Sequence, residues 1–225
     1  AGASLAACSR RELPGWQAIA TASSTGKKGA IFIVRKIEEK FQPCTPRPNT
    51  AVNMETPLLA QTRQFAESVL LPLPPRFAYH NHAHTQAVVR AATLIGRGSR
   101  LTAEELETVL LAAWMHDLGY ASIGQKGHEE QSALEAREFL QKKGVPEARI
   151  QLVEGCILAT QVPQLPRNKL ENVMCDADMY HLASADGLER SEDLRREFSA
   201  FSGEIEPLQW WQINVEFYQQ HHYFT

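Results

Sequence analysis

The chain has 225 residues, 44% of them hydrophobic and 22% charged, with 13 glycines and 12 prolines; this excludes fibrous, collagen-like and low-complexity classes and is enough chain to bury a real core. The net charge of −3 is unevenly split, since residues 1–53 carry 8 Lys/Arg against 3 Asp/Glu while residues 54–225 carry 15 against 23. A body that acidic offers no footprint for nucleic-acid phosphates, so no nucleic-acid polymer is expected as a partner, although a cation suits it.

Residues 1–53 show Ala/Ser/Thr/Gly clusters, one apolar run from Gly29 to Val34, and then Pro43, Pro46 and Pro48. No helical or strand period extends through them, and they read as a flexible leader or linker, with Met54 a candidate internal start. Leu5-Ala6-Ala7-Cys8 has the spacing of a lipoprotein cleavage box but lacks a basic start and an apolar stretch before it. A helical domain is expected over residues 54–225. Thr56-Pro57 opens a first helix through Leu71, and a second starts near Asn81 and ends at Gly96 and Gly98. Thr102 and Glu105 have the spacing of a capping box, after which Leu106, Val109, Leu110, Ala113 and Trp114 repeat at the helical period up to Gly119. Residues 120–127 read as a loop. Helices follow over His128–Lys143, from Pro146 through Leu158, over Arg167–Leu182 and Gly187–Phe201, and from Pro207 through Tyr218. About eight helices joined by short loops, with no alternating strand pattern, predict an all-α bundle.

Cys8, Cys44, Cys156 and Cys175 form no CxxC pair, which predicts reduced thiols in a cytoplasmic protein. The longest apolar runs fall far short of the roughly 20 residues of a membrane helix, so no membrane is expected as a partner.

All 8 histidines lie between residues 80 and 222. The informative segments are Tyr79-His80-Asn81-His82-Ala83-His84, Trp114-Met115-His116-Asp117-Leu118-Gly119 and Cys175-Asp176-Ala177-Asp178. Imidazole and carboxylate are ligands of divalent transition metals, and here three separate helices supply them. His116 and Asp117 follow an almost wholly apolar helical face, where polar side chains are costly to bury without a partner such as a cation. Adjacent helical residues point about 100° apart, so these two share an ion most readily at a helix end, which Gly119 is expected to supply.

His84, His116-Asp117 and Asp178, in that order with 31 and 60 residues between them, resemble the H…HD…D signature of the HD-domain metal-dependent phosphohydrolase superfamily. The wider match over about residues 58–225, including His128-Glu129-Glu130, resembles a small bacterial group of HD phosphohydrolases. The resemblance implies an HD-domain helical bundle in which His84, His116, Asp117 and Asp178 hold a divalent metal, Mn, Zn, Fe, Co or Ni, one per chain. It also implies that Asp117 orients the attacking water and that the substrate is a small phosphorylated molecule, with nucleotides among the candidates. His80, in a Tyr-His-Asn similar to that of cyclic-nucleotide phosphodiesterases, is a candidate proton donor, and His128 and Glu129 are candidates at the active-site mouth. His128 is a potential second-metal or phosphate ligand and Glu129 a potential base. Thr160-Gln161 stands where relatives with two metals often carry His, which favours a single ion.

Asp176 and Asp178 leave a helix in different directions, so only one can easily be the fourth ligand; the resemblance implies Asp178, since phosphodiesterases and (p)ppGpp hydrolases of the superfamily place Ala directly before the liganding Asp, and Asp176 is in reserve. His82 is expected at the surface. His181 is placed to meet a ligand carboxylate or to sit satisfied in its helix. The aromatic residues from Trp210 to Tyr223 suit a core stripe better than a base-stacking box, and Arg195 and Arg196 a solvated face. The competing function class is a non-catalytic, metal-binding regulatory or ligand-binding module.

Overall fold

A computed structural model describes residues 55–225, and the expectations for residues 1–53 and Met54 lie outside the described residues. Thr56 begins the first helix, α1 (Pro57–Leu70), by accepting a hydrogen bond from Leu59 N, with Pro57 in the first turn, where no amide is needed. Asn81 does the same for α2 (His82–Gly98), its Oδ1 accepting from Ala83 N and His84 N. Thr102 and Glu105 form both halves of the capping box of α3 (Ala103–Met115). Then come α4 (Leu118–Ile123), α5 (His128–Lys142), α6 (Glu147–Leu158), α7 (Lys169–Asp178), a 3₁₀ turn (Met179–Ala183), α8 (Gly187–Ser202) and α9 (Pro207–Gln220). No strand occurs among the described residues.

The eight expected helices are present, and α4 is a ninth, in a stretch whose glycines read as a loop. The single helix expected over Arg167–Leu182 is α7 followed by the tighter turn. Among the described residues no helix is long and apolar enough to cross a membrane.

Every residue of α3 from Thr108 to Met115 is buried. A helix apolar on all sides must be surrounded, and α3 packs against α1, α2, α5, α6 and α7. Its C-terminal end therefore delivers His116 and Asp117 into the interior, where they are 1% and 4% exposed. Phe65 of α1 stacks on Phe139 of α5 at 4.7 Å, and α7 lays Val173, Met174 and Ala177 against the same core. The aromatic residues of α9 belong partly to the interior, as expected. Trp210 packs edge-on against Phe198 and donates through Nε1 to Ser191 Oγ.

Gly119 has a different job from the expected helix stop. The helical path already breaks at Asp117, with φ −109° and ψ 11°, and Gly119 sits inside α4. A Cβ there would lie 2.4 Å from the His128 carbonyl oxygen and 2.8 Å from Ser132 N. Only a residue without a side chain lets α4 rest on the first turn of α5, and Gly119 N donates to Ser132 Oγ across that contact.

Candidate metal centre

Four side chains from α2, the α3 end and the α7 end converge in the interior. His84 Nε2 lies 3.3 Å from Asp117 Oδ2 and 3.3 Å from Asp178 Oδ1. His116 Nε2 lies 3.1 Å from Asp117 Oδ2, 3.6 Å from Asp178 Oδ1 and 3.4 Å from His84 Nε2. Two donors about 2.1 Å from one ion at tetrahedral corners stand about 3.4 Å apart, close to each of these five separations.

The protonation pattern supports the same reading. His116 Nδ1 lies 3.0 Å from the Ala113 carbonyl, which can only accept, so Nδ1 carries a proton and Nε2 is the atom turned to the cluster. Asp117 Oδ2 is buried and accepts no hydrogen bond. Buried lone pairs facing one another repel unless a cation lies between them. Burial works against charging His84 and His116, yet Asp117 and Asp178 draw both imidazoles towards the protonated form, His116 well above its ordinary range. Burial would likewise raise the Asp117 and Asp178 carboxyls, but the imidazoles beside them, His116 foremost, hold both below the usual range. The cluster demands positive charge, which protons or a divalent ion can supply.

Asp117 has a second face. Its Oδ1 is 3.5 Å from His128 Nε2, and candidate ligand atoms of His80, Asp117 and His128 all lie within 4.8 Å of one another. His128 is fixed by Nδ1 donating to the Gln125 carbonyl at 2.8 Å. Burial opposes its imidazolium, but Asp117 outweighs that and raises its pKa to about 9. His80 stacks on Tyr120 with ring centres 4.1 Å apart. Its Nδ1 donates to Oε1 of Glu197, a carboxylate with no exposed surface, whose Oε2 also accepts from the Tyr79 and His80 amides at 2.8 and 2.9 Å.

Asp176 and Asp178 point in opposite directions. Asp178 faces His84 and His116, whereas the Asp176 carboxylate accepts from Phe224 N, Thr225 N and Thr225 Oγ1 and so ties down the C-terminal segment. Glu129 is half-buried beside His128 Nδ1 at 3.4 Å, and burial pushes its carboxyl above the ordinary range. His181 touches the Asp178 backbone carbonyl and the Tyr79 hydroxyl rather than a ligand carboxylate, and burial takes its pKa down to about 4. His82 turns towards Glu67 of α1 and Trp114. Thr160 donates to the Ile157 carbonyl and Gln161 to Glu130, so neither reaches the cluster. Arg195 and Arg196 pair with Glu192 and Asp193 of their own helix.

Sequence reasoning missed Glu197 and Tyr120. Glu197 sits among charged residues of an amphipathic helix and meets His80 across 117 positions of sequence, with no local signal. Tyr120 lay in the stretch read as a loop, although its place three residues after Asp117 was a usable hint.

Residues 82–183 match the family model of the HD domain, a span that begins with α2 and contains all four converging side chains. This segment belongs to the HD-domain superfamily. No curated protein and no solved structure matches it. HD domains are typical of metal-dependent phosphohydrolases, and the His/Asp cluster of this one fits a divalent ion.

Proposed function

We propose that this HD-domain protein is a hydrolase that cleaves a phosphoester or phosphoanhydride in a small molecule, nucleotides included, using one divalent metal per chain. The observation that carries this reading is the buried His84, His116, Asp117 and Asp178 cluster, whose imidazole nitrogens lie 3.1–3.6 Å from the carboxylate oxygens, with no hydrogen bond to Asp117 Oδ2. These four residues would hold the ion, for which Mn, Zn, Fe, Co and Ni are all compatible with nitrogen and oxygen donors. A bound divalent cation supplies an electrophile for phosphate oxygens and makes water acidic enough to attack near neutral pH.

The chain's own groups supply the rest. Asp117 Oδ1, on the side away from His84 and His116, orients the attacking water and accepts its hydrogen bond. His80 is held through Nδ1 by Glu197, which leaves Nε2 free to give a proton to the leaving oxygen. His128 contacts the phosphate, and Glu129 beside it serves as an auxiliary base. The same reading places the protein in the cytoplasm, on the free, buried thiols of Cys156 and Cys175. It expects neither nucleic-acid polymers nor membranes among the partners. A second reading, favoured by the close approach of His80, Asp117 and His128, makes that trio the ligands of a second ion.

The test is phosphate release from a broad panel of phosphorylated small molecules by protein stripped of metal and reloaded with each candidate ion. Metal-dependent release is expected, falling about 10²-fold in His80→Ala with the metal retained. Tight metal binding with no release from any compound would instead make the chain a regulatory or ligand-binding module.

A further inference from the structure

A cavity of about 300 Å³ lies between α2 and the segment that follows α7. One end is formed by His84 and Asp178, so a molecule filling it abuts the metal centre. One wall is α2 itself. Val88 and Ala91 turn to the core, Ala87 and Leu94 flank them closer to solvent, and the helical period makes Arg90 the next position outward, at the rim.

Arg90 stands apart from the other cavity cation. Arg190, on the far wall, is bound to Asp186 and Asp193, whereas Arg90 has no hydrogen-bond or ion-pair partner among the described residues. Six residues of helix put its Cα about 9 Å along α2 from His84, and helical side chains lean towards the N-terminus, here towards the metal centre. An unpaired guanidinium at the rim of a small cavity in an acidic domain is a receptor for an anion.

We propose that this cavity holds the non-reacting part of the substrate and that Arg90 binds a second anionic group on it. The substrate class is then a small molecule with the scissile phosphate at one end, a ring or short carbon skeleton against Ala91 and Leu94, and a phosphate or carboxylate within about 10 Å at the other. The volume is at the small end of ligand pockets and suits a metabolite rather than a polymer. This assignment rests on the hydrolase reading for the position of the scissile phosphate.

Phenyl phosphate and 4-carboxyphenyl phosphate share a ring and a phosphate and differ in the distal carboxylate. The wild type is expected to favour the carboxylated ester about tenfold in kcat/KM, mainly through KM. Arg90→Ala should erase that preference while leaving phenyl phosphate within about twofold of wild type, and Arg90→Lys should restore part of it. An equal preference in wild type and Arg90→Ala overturns the proposal. Should neither ester be hydrolysed, equilibrium dialysis of the two esters against the metal-loaded protein reads the same preference, while the hydrolase reading stands or falls on the broad panel. A preference lost in Arg90→Ala then supports Arg90 as the anion receptor, and the absence of preference or of binding overturns it.

Discussion

Asp117→Asn is expected to lower hydrolysis of any accepted substrate by at least about 10³-fold while leaving the helical bundle folded. Asp117 is the one residue with an oxygen on each side of the centre, Oδ2 towards His84 and His116 and Oδ1 towards His128. An amide keeps the shape but removes the negative charge and sets an NH₂ group against one of these faces, so it neither holds a cation nor orients water equally well. Metal affinity should fall together with activity. Asp176→Asn, two residues before Asp178, is the internal control. It weakens the hold on Phe224 and Thr225 and should leave the metal in place. Steady-state rates near wild type for Asp117→Asn would remove Asp117 from the chemistry.

Gly119→Ala should destabilise the protein by about 2–4 kcal/mol and lower the melting temperature on the order of 10 °C. Inside an exposed helix the same change stabilises by about 1 kcal/mol, because alanine is the better helix former. The sign reverses here because the added carbon meets backbone, 2.4 Å from the His128 carbonyl oxygen and 2.8 Å from Ser132 N. Relief requires α4 and α5 to separate, and His128 moves with its carbonyl. Activity should therefore drop further than metal content, since none of the four ligands is on α5. Thermal melts followed by circular dichroism decide it, and an unchanged or raised midpoint would contradict the close approach of the two helices.

The helix starts were legible because their chemistry is local. Thr56 with Pro57, Asn81, and Thr102 with Glu105 each mark a helix start within four residues, a helix begins at each as read, and the capping box of Thr102 and Glu105 is formed. The convergence of His84, His116, Asp117 and Asp178 was legible through residue type and order, because a carboxylate next to a histidine at the end of an apolar helix is costly to bury without polar or charged partners. What stayed hidden depends on tertiary contact. The glycine at 119 reads as a stop from sequence, and only the packing of α4 on α5 reveals why it has no side chain. Spacing alone does not separate Asp176 from Asp178; the separation comes from backbone amides 48 and 49 positions further on. Glu197 reaches His80 from α8 by a route no local pattern records.

The most direct test of the account is metal content measured by mass spectrometry on protein purified without chelator or an affinity tag that binds metals, in wild type, His116→Ala and Asp117→Ala. About one transition metal per chain is expected in the wild type, lost in both variants. About two per chain, the second lost on changing His80 and His128, would assign a second ion to that pair with Asp117. Protein that takes up no metal even after reconstitution would contradict the central claim.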